Sequence, residues 1–232
     1  MNKSTSTSPD IPIVFEDNYL LVIDKPHELL SQEDHTGDPD VVTLCKQYLR
    51  QEYNNRGNVY LGLVHRLDRP VGGLMLLAKT QKAAKQLSDQ LRDRTVQKTY
   101  HAIVYGDPPL NGFLTHHLVK NRNRNRVTTA SPKNQDSKKA ILSFQRLEQQ
   151  EELSLLAVHL QTGRPHQIRV QLAEEGYPVW GDYKYGRRQP DGRTMALRAV
   201  ELIFQHPMSK EDVQLTLPSP KAEPWSLFNC AK

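Results

Sequence analysis

The residues best suited to chemistry fall into three short clusters. The first is His65-Arg66-Leu67-Asp68, running straight into the turn material Arg69 to Gly73. It sets a carboxylate at the end of a strand on a loop, where a rigid scaffold tends to present functional groups. The second is Thr162-Gly163-Arg164-Pro165-His166-Gln167-Ile168-Arg169. On a helix beginning near Pro165, His166 and Arg169 share one face, and Ile168 and Leu172 share another toward the core. The third, Lys98-Thr99-Tyr100, sets a tyrosine on the inward or cleft face of a strand. Each also has a plainer reading: a charged surface turn, an ordinary amphipathic helix with a polar outer face, and a buried structural tyrosine.

Several chemistries lack their residues. The zinc deaminases need His-x-Glu and Pro-Cys-x-x-Cys, and neither occurs. There is no His-Glu-x-x-His, Gly-x-Ser-x-Gly or Walker-type phosphate loop. A kinase is excluded too, since HRLD comes without a Gly-rich loop or a DFG. His116 and His117 are adjacent, so on a strand they point to opposite faces and make a poor metal pair. No metal site and no cofactor is expected.

The elements that must hold these clusters can be traced in order. Ile13 to Phe15 and Leu20 to Ile23 predict a hairpin around Glu16-Asp17-Asn18. Val41, Leu44, Cys45, Tyr48 and Leu49 fall at helical spacing, with Asp38 or Asp40 near the start and Asn54 to Asn58 closing the helix. Leu61 to Leu67 and Leu74 to Ala78 read as strands. Thr80 caps a helix carrying Ala83, Ala84, Leu87 and Leu91 on one face. Lys98 to Tyr105, Phe113 to Val119, Ala140 to Leu147 and Leu153 to Leu160 are further strands. Pro165 is read into a first helical turn, with Gly176 as the stop. A second hairpin joins Val200 to Gln205 and Val213 to Leu217 around Ser209-Lys210-Glu211, and Pro218, Pro220 and Pro224 then end regular structure. Strands outnumber helices without alternating strictly, which predicts an α+β fold with a largely antiparallel or mixed sheet flanked by helices and loops.

Composition bounds the rest. The 232 residues are 37% apolar and 25% charged, enough for a core and too little biased for disorder. No apolar run approaches the roughly 20 residues of a membrane helix, so no membrane partner is expected. Two cysteines, Cys45 and Cys230, make neither a disulfide framework nor a four-Cys zinc site, which makes a reducing, cytoplasmic setting the default. The net charge is +5, but seven Lys and Arg against Asp136 between Lys120 and Lys139 give that stretch +6 and leave the remainder at −1. The positive excess is thus concentrated, as in a surface for a polyanion, although a solvated loop has the same composition. In an extended chain Arg122, Arg124 and Arg126 project from one face.

Taken in order, the clusters resemble the RluA-type family of RNA pseudouridine synthases. The matching stretches are Val64 to Pro70, Gly73 to Thr80, Lys98-Thr99-Tyr100, Thr162 to Val170, and Gly181-Asp182 with Tyr185-Gly186. The likeness runs from about Ile13 to about Leu217. It implies isomerisation of uridine in structured ribosomal or transfer RNA without a cofactor, on a pseudouridine synthase-like catalytic domain. The uracil detaches from its sugar, turns, and rejoins through carbon 5. By this resemblance Asp68 is the catalytic carboxylate, Arg169 its basic partner, and Tyr100 lies against the base. His65, Arg66, Arg164, His166 and Gln167 are expected to contact RNA, as are Arg122, Arg124 and Arg126 of the basic stretch. One departure concerns the loop: the family often places Thr-Ser-Gly after HRLD and two residues, whereas here Val71 and Gly72 precede Gly73, and two ordering hydroxyls are absent. The expected organisation is a disordered tail over 1–10 and one catalytic domain over 11–228, acting as a monomer. An appended N-terminal RNA-binding domain is expected to be absent. The competing expectation is a non-catalytic RNA-binding or ribosome-assembly protein of the same fold.

Overall fold

A computed structural model describes residues 11–54, 57–121, 124–186 and 194–229. The proposed tail and Cys230 lie outside them, as does Arg122. The chain opens with a hairpin, β1 (Ile13–Glu16) and β2 (Leu20–Lys25), closed by the Asp17 carboxylate, which accepts from the backbone N–H groups of Tyr19 and Leu20 at 2.7 Å each. Helix α1 (Val41–Glu52) follows. Its first turn is capped by Asp40, and Val41, Cys45 and Leu49 form its buried stripe. Residues 55 and 56, in the expected helix-closing segment, are not described.

The next expected strand is much shorter than its apolar pattern suggested. Of the expected Leu61 to Leu67, only Gly62–Leu63 (β3) is a strand, paired with β4 (Gly72–Ala78). Beyond it, the His65 ring takes the Leu76 N–H that a strand partner would have used, and Ser31 holds both the N–H and the C=O of Leu67. The segment from His65 to Pro70 is therefore an anchored loop. Strand β4 is buried along its whole length because α1 covers one face and α2 (Gln81–Arg92), capped by Thr80, covers the other.

Strands β5 (Gln97–Tyr105), β6 (Asn111–Asn121), β7 (Arg126–Thr129), β8 (Lys138–Gln150) and β9 (Leu153–Leu160) come next. After helix α3 (Gln167–Glu174) the sheet is completed by β10 (Leu197–Gln205) and β11 (Asp212–Thr216). Among the described residues this is one eleven-stranded sheet in the order β1-β2-β4-β10-β5-β9-β8-β6-β7, with β3 beside β4 and β11 beside β10. Only β4 and β10 run parallel among the named strands, so the fold is α+β with a mixed, mainly antiparallel sheet. Pro224 does not end regular structure: a 3-10 turn, Trp225–Leu227, follows and buries Trp225 and Phe228 against Ile103 and Leu155.

The β4–β10 junction shapes the site. Strand β10 meets β4 only at Arg198 and Ala199, then shifts register and pairs with β11 from Glu201 onward. At this fork Gly73 has φ +111°, and a Cβ there would lie 2.2 Å from the Ala199 carbonyl oxygen, so only glycine fits.

Two further segments depart from expectation. Helix α3 starts at Gln167, not in a turn containing Pro165, because His166 is left-handed (φ 54°) and no right-handed helix passes through it. It has no polar outer face over its first six residues, since Gln167 to Leu172 are all buried, Arg169 and Gln171 included. Arg124 and Arg126 do not share one extended segment either. The chain reverses between β6 and β7, with Asn125 at φ 42° and the Arg124 N–H donating to Asn121, so Arg124 sits in the turn and Arg126 begins the returning strand.

Candidate active site

The loop carrying Asp68 is held from four sides. His65 and Ser31 fix its start, as above. The Lys25 ammonium, fully buried at the end of β2, donates to the carbonyls of Pro26 (2.9 Å), Leu29 (2.6 Å) and Arg69 (3.1 Å). Burial pulls its pKa down to about 8, while the carboxylates of Glu28 and Asp68 work the other way. The His27 ring donates from Nδ1 to the Pro70 carbonyl at 2.9 Å, and the Val71 N–H closes a turn onto the Asp68 carbonyl at 2.9 Å. These backbone contacts supply the order that the missing Thr-Ser pair would otherwise give. None of the three side chains behind the loop, Lys25, His27 and Ser31, stood out in the sequence, because each acts on backbone atoms far along the chain.

Helix α3 brings Arg169 up to this loop. Its Nη1 lies 3.2 Å from Asp68 Oδ2, while Nε and Nη2 grip the two oxygens of Asp182 at 2.6 and 2.8 Å. The guanidinium is 3% exposed and Asp182 is wholly buried, whereas Asp68 is 26% exposed toward the cleft. Arg169 thus has one edge locked by a structural carboxylate and the other turned to Asp68. Although burial works against its charge, Asp182 first and then Asp68 hold its pKa above the usual arginine value. Asp182 also accepts from the backbone N–H groups of Lys184 (2.9 Å) and Tyr185 (3.2 Å), which ties the 181–186 turn to the same point.

His166 completes the group. The Tyr185 hydroxyl accepts from the Val127 N–H at 2.8 Å, which directs its own proton to His166 Nδ1 at 2.6 Å. The His166 proton then sits on Nε2, 4.0 Å from Asp68 Oδ2. Burial lowers its pKa to about 4, so the ring is neutral at pH 7. The guanidinium carbons of Arg126 and Arg169 lie 5.0 and 5.1 Å from the centre of the Tyr185 ring.

Tyr100 and Lys98 reach the same cleft from one face of β5. The Tyr100 hydroxyl has no hydrogen-bond partner among the described residues, and burial, with the Asp68 charge, raises its pKa. Burial lowers that of Lys98, which has no carboxylate partner among the described residues. The cleft measures about 960 Å³. Arg66, Arg92, Arg94, Lys120, Arg164 and Lys184 also line it, against only three carboxylates, Glu33, Asp34 and Asp68. Such a lining concentrates polyanions.

The structure therefore brings Asp68, Tyr100 and Arg169 to one cleft, with His166 beside them. Arg66 is exposed there, and Arg164 lies over the Lys139 carbonyl through its Nε at 3.1 Å. Two residues expected to touch RNA are engaged within the protein. His65 accepts from Leu76, and buried Gln167 uses its amide on Thr162, Arg164 and Ile141. Arg124 and Arg126 stand exposed on the hairpin above the cleft, and Arg122 is outside the described residues.

Burial holds both imidazoles neutral, and acid should expose this. His65 is pushed down to about 3 and His166 to about 4, from 6.5. Their contribution to stability is full above pH 6.5 and is lost as pH falls through the folded values, because the unfolded chain then binds the extra protons. Unfolding free energy, read by urea titration, should fall between pH 6.5 and 4 by roughly 1 kcal/mol per pH unit for each ring. His65→Gln, which keeps an acceptor that does not titrate, should shrink that slope. An unchanged slope would mean the ring is not held neutral.

Comparison with known proteins bears on the family and the fold. A family model described as RNA pseudouridylate synthase matches residues 19–174. The ribosomal large subunit pseudouridine synthase D of Zymomonas mobilis is 32% identical, over 91% of this chain and 71% of that protein. Its namesake in Vibrio cholerae is 33% identical, over 91% and 68%. The solved structure of human RNA pseudouridylate synthase domain containing 4 superimposes with a TM-score of 0.76 at 24% identity, covering 90% of this chain and 89% of that one.

Proposed function

The chain belongs to the RluA-type family of RNA pseudouridine synthases, and we propose that it isomerises a uridine of ribosomal RNA with Asp68 as the reacting carboxylate. The bacterial relatives are named as pseudouridine synthases of the ribosomal large subunit, which favours ribosomal RNA over transfer RNA as the substrate here. The observation that carries the reading is the Arg169 fork, locked to Asp182 on one edge and 3.2 Å from Asp68 on the other. It sets a fixed cation beside a partly buried carboxylate and aims it, while leaving its remaining oxygen lone pairs for substrate.

A stacked uridine cannot reach Asp68, so it must be flipped from the helix at a cost of a few kcal/mol, about what a few phosphate contacts along a basic cleft return. With Asp68 at the nucleoside, the N1–C1′ bond breaks, the uracil turns, and C5 bonds to C1′. The C5 proton then leaves and N1 gains one, so the reaction is an isomerisation and needs no oxidant. Tyr100 enters as a neutral phenol, because burial and Asp68 raise its pKa. It packs against the base, and it accepts the C5 proton only as its own phenol proton passes to cleft water in the same step. His166 Nε2–H faces Asp68 as a neutral donor, and Lys98 supplies positive charge at the cleft floor. We place the enzyme in the cytoplasm, acting as a monomer.

Loss of the C5 hydrogen gives a direct assay. Ribosomal RNA carrying tritium at uridine C5, taken from cells lacking the gene, should release tritium to water with the purified protein. Retention of all the label would overturn the reading.

The basic hairpin then has separable tasks. Arg124→Ala should weaken RNA affinity and lower the slope of log K against log salt by about one, with the saturating single-turnover rate unchanged. Arg126→Ala should do the same and also slow the reaction, since Arg126 lies on the Tyr185 ring that orients His166. Equal effects of the two on rate would contradict that division.

A further inference from the structure

One aromatic side chain in the cleft is left without a task by the reacting centre. Tyr183 is 62% exposed, and of the large apolar side chains that stand exposed among the described residues it alone lines the cleft with Asp68. No hydrogen bond, ion pair or ring contact engages it among the described residues. Its backbone, by contrast, is fixed. Asp182 accepts the N–H groups of Lys184 and Tyr185 on one side of the turn, and the Gly186 N–H donates to the Asp182 carbonyl at 2.8 Å. The neighbouring Lys184 ammonium is tied to the Asn125 carbonyl at 3.0 Å, at the tip of the β6–β7 hairpin. A rigid turn thus holds an open ring in a cleft of cations.

That combination suits a nucleobase better than a protein surface. A docking patch for protein would need further exposed apolar neighbours, whereas no other exposed large apolar side chain among the described residues lines this cleft, and Lys184, next along the turn, and Lys120 of the same lining are cations. Flipping a nucleotide strips stacking from the base beside it, and an aromatic face restores that contact for any base, while lysines take the flanking phosphates. We propose that Tyr183 is the stacking platform for an unpaired base next to the target uridine in the substrate RNA. The inference rests on the RNA reading above and concerns a second nucleotide, distinct from the one that meets Tyr100.

The test uses full-length Tyr183→Ala, Tyr183→Leu and Tyr183→Phe with ribosomal RNA from cells lacking the gene. Affinity is measured across a salt series and single-turnover tritium release at saturation. Ala and Leu should weaken binding about tenfold. The factor should be the same at every salt concentration, because stacking releases no counterions. Phe should bind within about twofold of the wild type, and thermal unfolding of all three should match it. A Leu variant that binds as the wild type does would overturn the platform. So would a Phe variant as weak as Ala, which would mean a hydroxyl contact, or a loss that vanishes as salt rises. Wild type that binds this RNA without releasing tritium would sink the isomerase reading, and the binding series would still decide the role of Tyr183.

Discussion

Asp68→Asn is expected to lose about 10⁴-fold or more in single-turnover rate, the scale seen when a group that bonds to the reacting centre is removed. The change is nearly isosteric: it takes away charge and basicity and turns one acceptor oxygen into an amide donor. The fold should tolerate it: Asp68 is one-quarter exposed, and Arg169 keeps its compensating charge from Asp182. Thermal unfolding should therefore move little. RNA affinity should hold or rise slightly, since a negative charge leaves a cationic cleft. Tritium release and filter binding on one preparation check both halves. A variant within about tenfold of wild-type rate would remove Asp68 from the mechanism.

The second large effect is on stability. Asp182→Ala leaves the Arg169 guanidinium, 3% exposed, without the carboxylate that holds two of its nitrogens. Breaking a buried pair from one side costs about 3–5 kcal/mol, because a desolvated charge loses its main partner, and Asp68, on one nitrogen at 3.2 Å and partly exposed, replaces only part of it. The turn loses its anchor as well, since the N–H groups of Lys184 and Tyr185 also donate to Asp182. Urea unfolding should report a loss in that range, and Asp182→Asn, which keeps acceptors but not charge, a smaller one. A loss below about 1 kcal/mol for the alanine variant would mean that water reaches Arg169 and the pair is not buried. Arg169→Lys separates charge from geometry: a single ammonium cannot hold both Asp182 oxygens and still reach Asp68, so activity should fall further than stability.

Much of this was legible in the sequence, and the gaps have physical causes. The caps of Asp40 and Thr80, the β1–β2 hairpin and the buried run of β4 follow from local side-chain chemistry and periodicity. The α3 segment misled because Pro165 is a good first-turn residue, while the left-handed turn at His166 depends on tertiary contacts through Tyr185 and Gln167. Its buried Arg169 looked like surface charge because the neutralising Asp182 lies thirteen residues on, beyond any helical repeat. Lys25 was invisible for a similar reason: a lysine after an apolar strand reads as a solvated end, yet here it clamps a carbonyl forty-four residues away. The basic stretch showed its charge plainly and its hairpin not at all, since asparagine alternating with arginine fits an extended chain and a tight turn equally well.

The most direct measurement is nucleotide-resolution mapping of pseudouridine in ribosomal RNA from cells lacking the gene, after incubation with purified wild-type or Asp68→Asn protein. The account predicts new pseudouridine with the wild type and none with the variant, although both bind the RNA. Identical maps from the two proteins, or no new pseudouridine with the wild type, would contradict it.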